Sequence, residues 1–578
     1  MKKLLALLLV AAFFATLFVG CKDETAPAET EPQIEYLRLV QGGATEFKIV
    51  SYLKNSKPAD NLAKALRTQT GVAFTVVDSK NAGAKNIYIG TAEKLAGLGG
   101  VSATLYYTTY EIKVDSNNIY VAISDKAYAD KVVEKLATAI VKVEDGVFGI
   151  DMSTAGVKNV SNISCAIPVF TTASGSLREI YEAGSDNYQV SYNGLNARTS
   201  DAEVAAYRTS LEAAGYVLHQ MNEVNGSQFF TYTQGDTMIH CNYFKSMREF
   251  RIIYGPLNYL GSATPITEYE RKVTPSISIV GSTDSVLCMV YQAPDGSFVI
   301  IDGGYSNSKT YNWTLNEGKP SEHTFMIERN VETDMANLWA VLASMTPEGQ
   351  KPQVTWMITH GDPDHIGLPP VFINRYKDQF DLNLVCYNFP IIKNIGLKNG
   401  ESPATYQTYI DTFIKSVNNH FPNAQHMVYH TGQKLYLPGT EIEFLFTAED
   451  YWPNAMTWMN HTSGAWRITS EGKTIMITGD CETGLNEQMV RVFGDYLKSD
   501  ILQLNHHGSN GATLNFYKKV QPTVAFWACT DTHFEYDMKR LGTATGFEFN
   551  EYIRNTALYH YSGSYTHTIL LPTLEEKK

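Results

Sequence analysis

The chain has 578 residues, several times the length of a usual single domain, which predicts two or three folded units. Hydrophobic residues make up 44% of the chain, charged residues 19% and aromatic residues 12%, a composition that excludes long disordered regions. The formal net charge of -13 disfavours duplex nucleic acid as a partner, because the surface as a whole repels polyanions.

Residues 1–21 are predicted to be a lipoprotein signal peptide. Met1-Lys2-Lys3 precedes the apolar run Leu4–Val19, which is short for a membrane-spanning helix and leads into Gly20-Cys21. This ending resembles the bacterial lipoprotein cleavage box, which implies a lipid on Cys21 that holds the exported protein to the outer face of a bacterial membrane. Simple secretory cleavage and an uncleaved anchor are the alternatives. Residues 22–35 are polar and Pro-containing, and are predicted to form a flexible tether.

Residues 36–160 are predicted to form an α/β accessory domain. Apolar residues at helical spacing predict helices over 59–70 and 128–141, and short apolar runs predict strands at 86–90, 110–114 and 119–123. The segments IYIGT and YEIKVDSNNIYVAIS resemble the small α/β domain that precedes the catalytic barrel of some glycoside hydrolases. No catalytic residues come with this resemblance, so a spacer role is favoured and carbohydrate contact is the alternative.

Residues 161–270 are predicted to form a small α+β domain. An amphipathic helix over 201–214 ends at Gly215, and apolar runs at 229–232, 237–243 and 250–254 predict a meander.

From residue 271 to 578 the pattern changes to strands followed by polar, Gly-containing loops. Their spacing fits an α/β fold with two sheets and helices outside them. The predicted strands lie at 277–280, 286–291, 297–301, 354–359, 382–387, 442–446, 474–478, 501–504 and 523–528.

The strongest chemical signal is the stretch Thr359–Gly367, in which His360, Asp362, Asp364 and His365 occupy four of six positions directly after an apolar strand. Two imidazoles and two carboxylates packed this closely would repel one another or stay unsatisfied without a cation. A metal site is therefore favoured over a solvated acidic turn.

The same stretch resembles the HxHxDH signature of the metallo-β-lactamase superfamily, with Asp362 in place of the second His. Further segments resemble the family's other conserved pieces in the expected order: VIIDGG with Asp302, HTSG with His461, MITGD with Asp480, and NHHGS with His506 and His507. The resemblance implies a C-terminal αββα sandwich. The pairing of HxDxDH with HHGS is most similar to the soluble domain of bacterial competence (DNA-uptake) proteins, although their membrane channel is missing from this sequence.

The resemblance implies a site for two divalent metal ions. His360, Asp362 and His461 would hold one ion, Asp364, His365 and His506 the other, and Asp480 would bridge them. These mixed nitrogen and oxygen ligands suit Zn²⁺ and also tolerate Mn²⁺ or Fe.

Three further residues complete the predicted site. Asp302 would support the loop or a ligand histidine from behind. His506 is favoured over His507 as the ligand because it comes first after the strand, which leaves His507 to contact substrate or to pack. His533, in the Asp-Thr-His that follows the next strand, would contact substrate or protonate a leaving group, with a structural role as the alternative.

Three functions remain open at this stage. A hydrolase of phosphodiester-type bonds, acting on a small molecule or a surface polymer, is favoured because paired cations suit displacement at phosphorus. A hydrolase of esters, lactones or amides is the first alternative, since the superfamily's fold does not fix its substrate. A non-catalytic, glycan-binding surface protein is the second, and metal content would separate it from the other two.

Overall fold

The computed structural model describes residues 34–53, 55–102, 105–160, 167–171, 179–182, 188–192, 198–313, 325–390, 402–447, 449, 458–509, 511–534 and 547–577. The predicted signal peptide with Cys21, and the predicted tether as far as residue 33, lie outside these residues. The chain falls into two compact units, Met1–Leu105 with Thr109–Val160 and Tyr106–Thr108 with Ser161–Lys578. Within the described residues, no helix has both the length and the apolar character needed to cross a membrane.

The first unit combines helices with two sheets. Leu62 and Leu66 are buried on one face of its first helix, as the sequence pattern predicted. Strands β3-β2-β4-β6-β5-β9 form one sheet and β1-β8-β7 the other. The elements are Tyr36–Val40 (β1), Phe47–Ser51 (β2), Lys57–Thr70 (α1), Thr75–Val77 (β3), Lys85–Thr91 (β4), Ala92–Gly99 (α2), Thr109–Val114 (β5), Asn118–Ile123 (β6), Ala129–Ala139 (α3), Ile140–Glu144 (β7), Val147–Asp151 (β8) and Gly156–Asn159 (β9).

The second unit begins with a six-stranded antiparallel sheet, here called the middle sheet, in the order β10-β11-β15-β14-β13-β12. Its helix α4 starts at a capping box in which Ser200 and Glu203 exchange hydrogen bonds. The predicted helix and meander are confirmed. The elements are Glu179–Glu182 (β10), Tyr188–Tyr192 (β11), Asp201–Ala213 (α4), Val217–Val224 (β12), Ser227–Gln234 (β13), Thr237–Phe244 (β14) and Glu249–Pro256 (β15).

Two seven-stranded sheets follow, in the orders β23-β22-β21-β18-β17-β16-β31 and β24-β25-β26-β27-β28-β29-β30, with a separate hairpin β19–β20. The strands are Ser276–Ile279 (β16), Cys288–Gln292 (β17), Phe298–Asp302 (β18), Lys309–Trp313 (β19), Phe325–Arg329 (β20), Gln353–Met357 (β21), Asp381–Tyr387 (β22), Gln425–Val428 (β23), Lys434–Leu437 (β24), Thr440–Phe446 (β25), Ala465–Ser470 (β26), Lys473–Ile477 (β27), Ile501–Gln503 (β28), Val524–Trp527 (β29), Tyr559–Ser562 (β30) and His567–Leu570 (β31). The helices are Val331–Met345 (α5), Pro363–Ile366 (α6), Leu368–Tyr376 (α7), Pro403–His420 (α8), Thr483–Phe493 (α9), Leu514–Val520 (α10) and Phe547–Thr556 (α11).

The two sheets contribute to one shared hydrophobic core. Met357 of the first sheet and Trp466 of the second are both fully buried in it. A second core joins Trp356, on the other face of the first sheet, to residues of α5, α7 and α8, and a third joins the second sheet to α9, α10 and α11. Alternating side chains of each strand thus face sheet and helix, as expected of buried strands. The mixed α/β class predicted from the sequence is confirmed.

The nine strands predicted after residue 271 are all present, as β16, β17, β18, β21, β22, β25, β27, β28 and β29. β18, β21, β22 and β23 run parallel, as do β27, β28 and β29. The carboxyl ends of parallel strands meet at one edge of a sheet, where functional side chains commonly gather. Asp302 and His360 occupy such positions in the first sheet, and Asp480, His506 and His533 in the second.

Candidate metal centre

The loop after β21 is shaped to present its histidines and carboxylates. Pro363 starts the short helix α6, in which Asp364 and His365 lie, and the His365 amide donates to the Asp362 carbonyl at 3.0 Å. A side chain at Gly367 would overlap the Pro363 carbonyl, so this tight turn needs glycine.

Asp302 fixes the orientation of His365. Its Oδ1 accepts the Thr359 amide at 2.7 Å, and its Oδ2 lies 2.7 Å from His365 Nδ1. The Asp302 backbone has a φ of 53°, in the left-handed region that asparagine and aspartate tolerate better than most residues. With its Nδ1 held by the carboxylate, His365 presents Nε2 to the site, as a metal-ligating histidine requires.

The segments after β27 and β28 bring Asp480, His506 and His507 to the same place. His506 and His507 have φ values of 49° and 55°, two successive left-handed residues. His507 Nδ1 lies 2.8 Å from the Ala528 carbonyl, which leaves its Nε2 directed at the site. The His506 amide donates to the Gly479 carbonyl at 3.0 Å and joins the two segments.

One oxygen atom is central to the arrangement. Asp480 Oδ2 lies 3.3 Å from His365 Nε2 and 3.5 Å from His507 Nε2. The same oxygen lies 3.9 Å from Nε2 of both His360 and His506. A single buried carboxylate is therefore surrounded by four imidazoles, the environment expected of a residue that bridges two cations.

Asp364, His365, Asp480 and His507 form the tightest group, with ligand atoms that all lie within 4.8 Å of one another. The sequence analysis placed His506 in this group, whereas the structure places His507 there. His507 Nε2 lies 3.3 Å from Asp364 Oδ2 and 3.3 Å from His365 Nε2. The left-handed turn causes this exchange, because it directs the two adjacent side chains to different partners. The ligand roles themselves stay predictions.

His360, Asp362 and His461 lie in the other half of the site. His360 Nε2 is 3.3 Å from Asp362 Oδ2, and the Gly464 amide, three residues after His461, donates to the Thr359 carbonyl at 2.8 Å. Glu482 was not predicted from the sequence, and its carboxylate lies 3.9 Å from His461 Nε2 and 3.7 Å from His506 Nδ1. Its position two residues after Asp480 was the only signal in the sequence.

Histidine–carboxylate contacts shift the acid–base properties of the centre. Burial disfavours the imidazolium form, but the carboxylates of Asp480 and Asp364 outweigh it and raise the pKa of His507 to about 10. At His365, too, the neighbouring carboxylates outweigh burial, and they raise its pKa well above the ordinary value. Burial alone would favour the neutral acid at Asp364, yet the neighbouring imidazoles lower its pKa to about 2. Protons therefore compete with cations for these side chains.

The chemistry of the site fits metal ions. Among the described residues, the buried atoms His360 Nε2, Asp362 Oδ1 and Asp480 Oδ1 have no hydrogen-bond partner. Leaving buried polar atoms unpaired is costly, and these three belong to ligand-type groups that face one another. Nitrogen and carboxylate donors in this mixture suit a divalent transition metal, and the donor set alone leaves the metal's identity open.

His533 lies close enough to His507 for the two imidazoles to interact electrostatically. Its Nδ1 lies 2.8 Å from Thr530 Oγ1 and its Nε2 3.9 Å from Asp284 Oδ1. Burial lowers the pKa of His533 to about 4, so the imidazole is neutral at physiological pH.

No protein-family model matches the chain, and no curated protein matches it. Solved structures of metallo-β-lactamase-fold enzymes resemble parts of it. The diiron β-hydroxylase CmlA from Streptomyces venezuelae is 11% identical, with a TM-score of 0.29 over 55% of this chain and 55% of that chain. Human short-form tRNase Z is 12% identical, with a TM-score of 0.23 over 43% of this chain and 91% of that chain. A long-form RNase Z from yeast is 10% identical, with a TM-score of 0.27 over 52% and 48%.

The chain thus spans about half the length of CmlA and of the yeast enzyme. With these TM-scores and identities, the similarities carry no argument about the activity of this chain.

Proposed function

We propose that the chain is a binuclear metal-dependent hydrolase of the metallo-β-lactamase fold that cleaves phosphodiester-type bonds. One observation carries the metal assignment: Asp480 Oδ2 lies within 3.9 Å of nitrogen atoms of His360, His365, His506 and His507. Buried polar groups in such a cluster are stable when cations satisfy them.

One ion would be held by His365, His507 and Asp364. The other, second ion would be held by His360, Asp362 and His461, and Asp480 would contribute to both. Bound divalent cations supply Lewis-acid activation of water and neutralise charge that grows on the scissile group. The residues of the chain orient this chemistry. Asp302 and the Ala528 carbonyl each hold the Nδ1 of a histidine and so present its Nε2 to the site.

His533 is proposed to contact the substrate as a neutral imidazole. Burial lowers its pKa to about 4, so the imidazolium is scarce at neutral pH. That scarcity favours a hydrogen bond to the substrate over protonation of a leaving group. His533→Gln should therefore retain more activity than His533→Ala, because the amide can still hydrogen-bond.

Phosphodiesters are proposed as substrates because paired cations match the negative charge that develops on non-bridging oxygens. The net charge of -13 opposes a long polyanion such as duplex DNA. Small or activated phosphodiesters, or phosphodiesters within surface polymers, are the better candidates.

The test is turnover of a chromogenic phosphodiester, a lactone and a chromogenic cephalosporin. Wild type, His507→Ala and the control His567→Ala are compared at equal metal loading. His567 of β31 pairs with Glu576, so its substitution is a control for the loss of a histidine outside the centre. Phosphodiester turnover that is lost only in His507→Ala supports the proposal. Turnover confined to the lactone or the cephalosporin would refute the substrate while leaving the metal centre standing.

We also propose that the protein is exported and anchored by a lipid on Cys21, because residues 1–21 resemble a lipoprotein signal peptide. Cys21→Ala should then abolish fatty-acid labelling and release the protein from the membrane fraction. A Cys21→Ala protein that stays membrane-bound without lipid would instead identify the apolar run as the anchor.

A further inference from the structure

The side chain of Glu482 does not cap the helix that begins beside it. Glu482 is the N-cap residue of α9, where an acidic side chain ordinarily accepts a hydrogen bond from the first helical turn. Its side chain makes no such capping bond to the described helix. The carboxylate is only 18% exposed and turns toward His461 and His506 instead.

Besides the amide of Asn460, this carboxylate faces two imidazole nitrogen atoms. Its Oε2 lies 3.9 Å from His461 Nε2 and its Oε1 3.7 Å from His506 Nδ1. These separations are too long for hydrogen bonds, and they fit donor atoms arranged around a common ion. Asn460 Nδ2 donates to Oε1 at 3.2 Å and lies 3.3 Å from His506 Nε2, which fixes the orientation of the pair.

A second, independent observation points to a cation here. His360 is fully buried, yet its Nε2 has no hydrogen-bond partner among the described residues, and the same holds for His506 Nδ1 and Asp480 Oδ1. Three buried polar atoms without a hydrogen-bond partner thus lie close to a carboxylate that does not cap its helix. A cation would satisfy all of them together.

We propose that Glu482 is a further ligand of the second metal ion, the one assigned above to His360, Asp362 and His461 beside the shared carboxylate of Asp480. The inference rests on the proposed binuclear centre. An added carboxylate makes this half of the centre richer in hard oxygen donors than the half that contains His365 and His507. It should therefore accept Mn²⁺ or Fe²⁺ more readily than the other half.

The experiment measures metal equivalents per full-length chain over a series of chelator concentrations, with Zn²⁺ and with Mn²⁺. Glu482→Ala and Glu482→Gln are compared with wild type and with Glu487→Gln. Glu487 lies on the same helix but accepts hydrogen bonds from Thr513 and Asn515, so it is a matched control for losing a carboxylate. The absorption spectrum of the Co²⁺-loaded proteins reports the coordination of the second ion directly.

Loss of an outer-shell partner weakens metal binding by about 10- to 100-fold. We expect both Glu482 variants to weaken the second equivalent by more than about 100-fold, to alter the Co²⁺ spectrum and to leave the first equivalent in place. The glutamine variant separates a ligand from a structural residue, because it keeps the size of the side chain and its contact with Asn460 but is a poor ligand. Second-equivalent binding by Glu482→Gln within about 10-fold of wild type would overturn the inference.

Failure of the proposed function gives a different pattern. Wild type that binds two equivalents but cleaves no phosphodiester would refute the substrate and leave Glu482 as a ligand. Wild type that binds one equivalent or none would overturn both proposals.

Discussion

Backbone strain at single residues determines which side chains meet in this centre. His506 and His507 both have left-handed φ values, and each such residue costs on the order of 1 to 3 kcal/mol. The cost is offset by contacts that fix the turn, among them the hydrogen bond from the Ser509 amide to the His506 carbonyl. The turn sends His507 to Asp364 and His506 to Glu482, so two adjacent histidines can serve two halves of one site.

Asp302 should affect metal affinity by orienting His365, a ligand in the proposed centre. In Asp302→Asn the left-handed backbone is tolerated, but the carboxylate that holds His365 Nδ1 is lost. We expect Zn²⁺ affinity to fall by about 10- to 100-fold in chelator competition. Asp295→Asn, in the turn before the same strand, is the control. An affinity within about twofold of wild type in Asp302→Asn would contradict this role.

Asp334 should make stability depend on pH. Burial raises its pKa to about 6, although Thr283 donates hydrogen bonds to the carboxylate. A carboxyl with a raised folded-state pKa stabilises the protein fully below the unfolded value near 4, and this contribution is lost as pH rises through about 6. The Asp334→Asn variant cannot titrate at this position, so it does not lose stability in this way as the pH rises. Relative to wild type, its free energy of unfolding in urea should rise by on the order of 2 kcal/mol between about pH 4.5 and pH 7.5. If the free energies of unfolding of Asp334→Asn and wild type differ by the same amount at both pH values, the raised pKa of Asp334 is refuted.

The hairpin β19–β20 was not among the strands predicted from the sequence. The structure shows how it is held. Arg329, at the end of β20, donates from Nε to Asp284 Oδ2 at 2.8 Å and stacks on the Tyr305 ring. Tyr311 of β19 donates to the same carboxylate at 2.8 Å. Asp284 thereby joins the hairpin to the loop that also approaches His533.

Arg329→Ala should destabilise the protein strongly, because it leaves the carboxylate of Asp284, only 2% exposed, without its charge partner. The expected cost is about 3 to 5 kcal/mol in denaturant unfolding, with faster hydrogen exchange in β19 and β20. Lys309→Ala, which removes an exposed cation from the same hairpin, should cost less than about 1 kcal/mol. Equal effects of the two substitutions would show that the pair does not hold the hairpin.

Strand elements were predictable where apolar runs stood between polar loops, as at β18 and β21. β26 was missed because its sequence, AWRITS, alternates apolar and polar residues too briefly to be distinguished from a loop. Pairing order and register depend on contacts between distant segments, so the sequence could predict which segments come together but not which atoms meet. The exchange of His506 for His507 and the approach of Glu482 both depend on such contacts.

At the scale of the whole second unit, the middle sheet and the two larger sheets are packed as one body. Phe229 of β13 stacks on Phe493 of α9 and shares a hydrophobic core with the second seven-stranded sheet. Asn222 of β12 donates to the buried carboxylate of Glu443 at 2.6 Å, and Arg467 donates to the other oxygen of that carboxylate at 3.0 Å. Polar pairing of this kind, buried beside apolar contact, resembles the interior of a domain more than the surface between two domains.

A chain shortened to residues 271–578 should therefore fail to fold cooperatively, although it contains every predicted ligand. Removing the middle sheet exposes Phe493 and its neighbours and takes Asn222 away from Glu443, which leaves a buried carboxylate with fewer donors. A chain of residues 161–578 keeps these contacts but loses the buried Tyr107 of the second unit, so it should unfold cooperatively at a lower temperature than the full-length protein and keep both metal equivalents. The measurement is near-UV circular dichroism during heating, together with metal content, for both shortened chains and for the full-length protein. Cooperative unfolding with two bound metals in the 271–578 chain would show that the middle sheet is an independent addition.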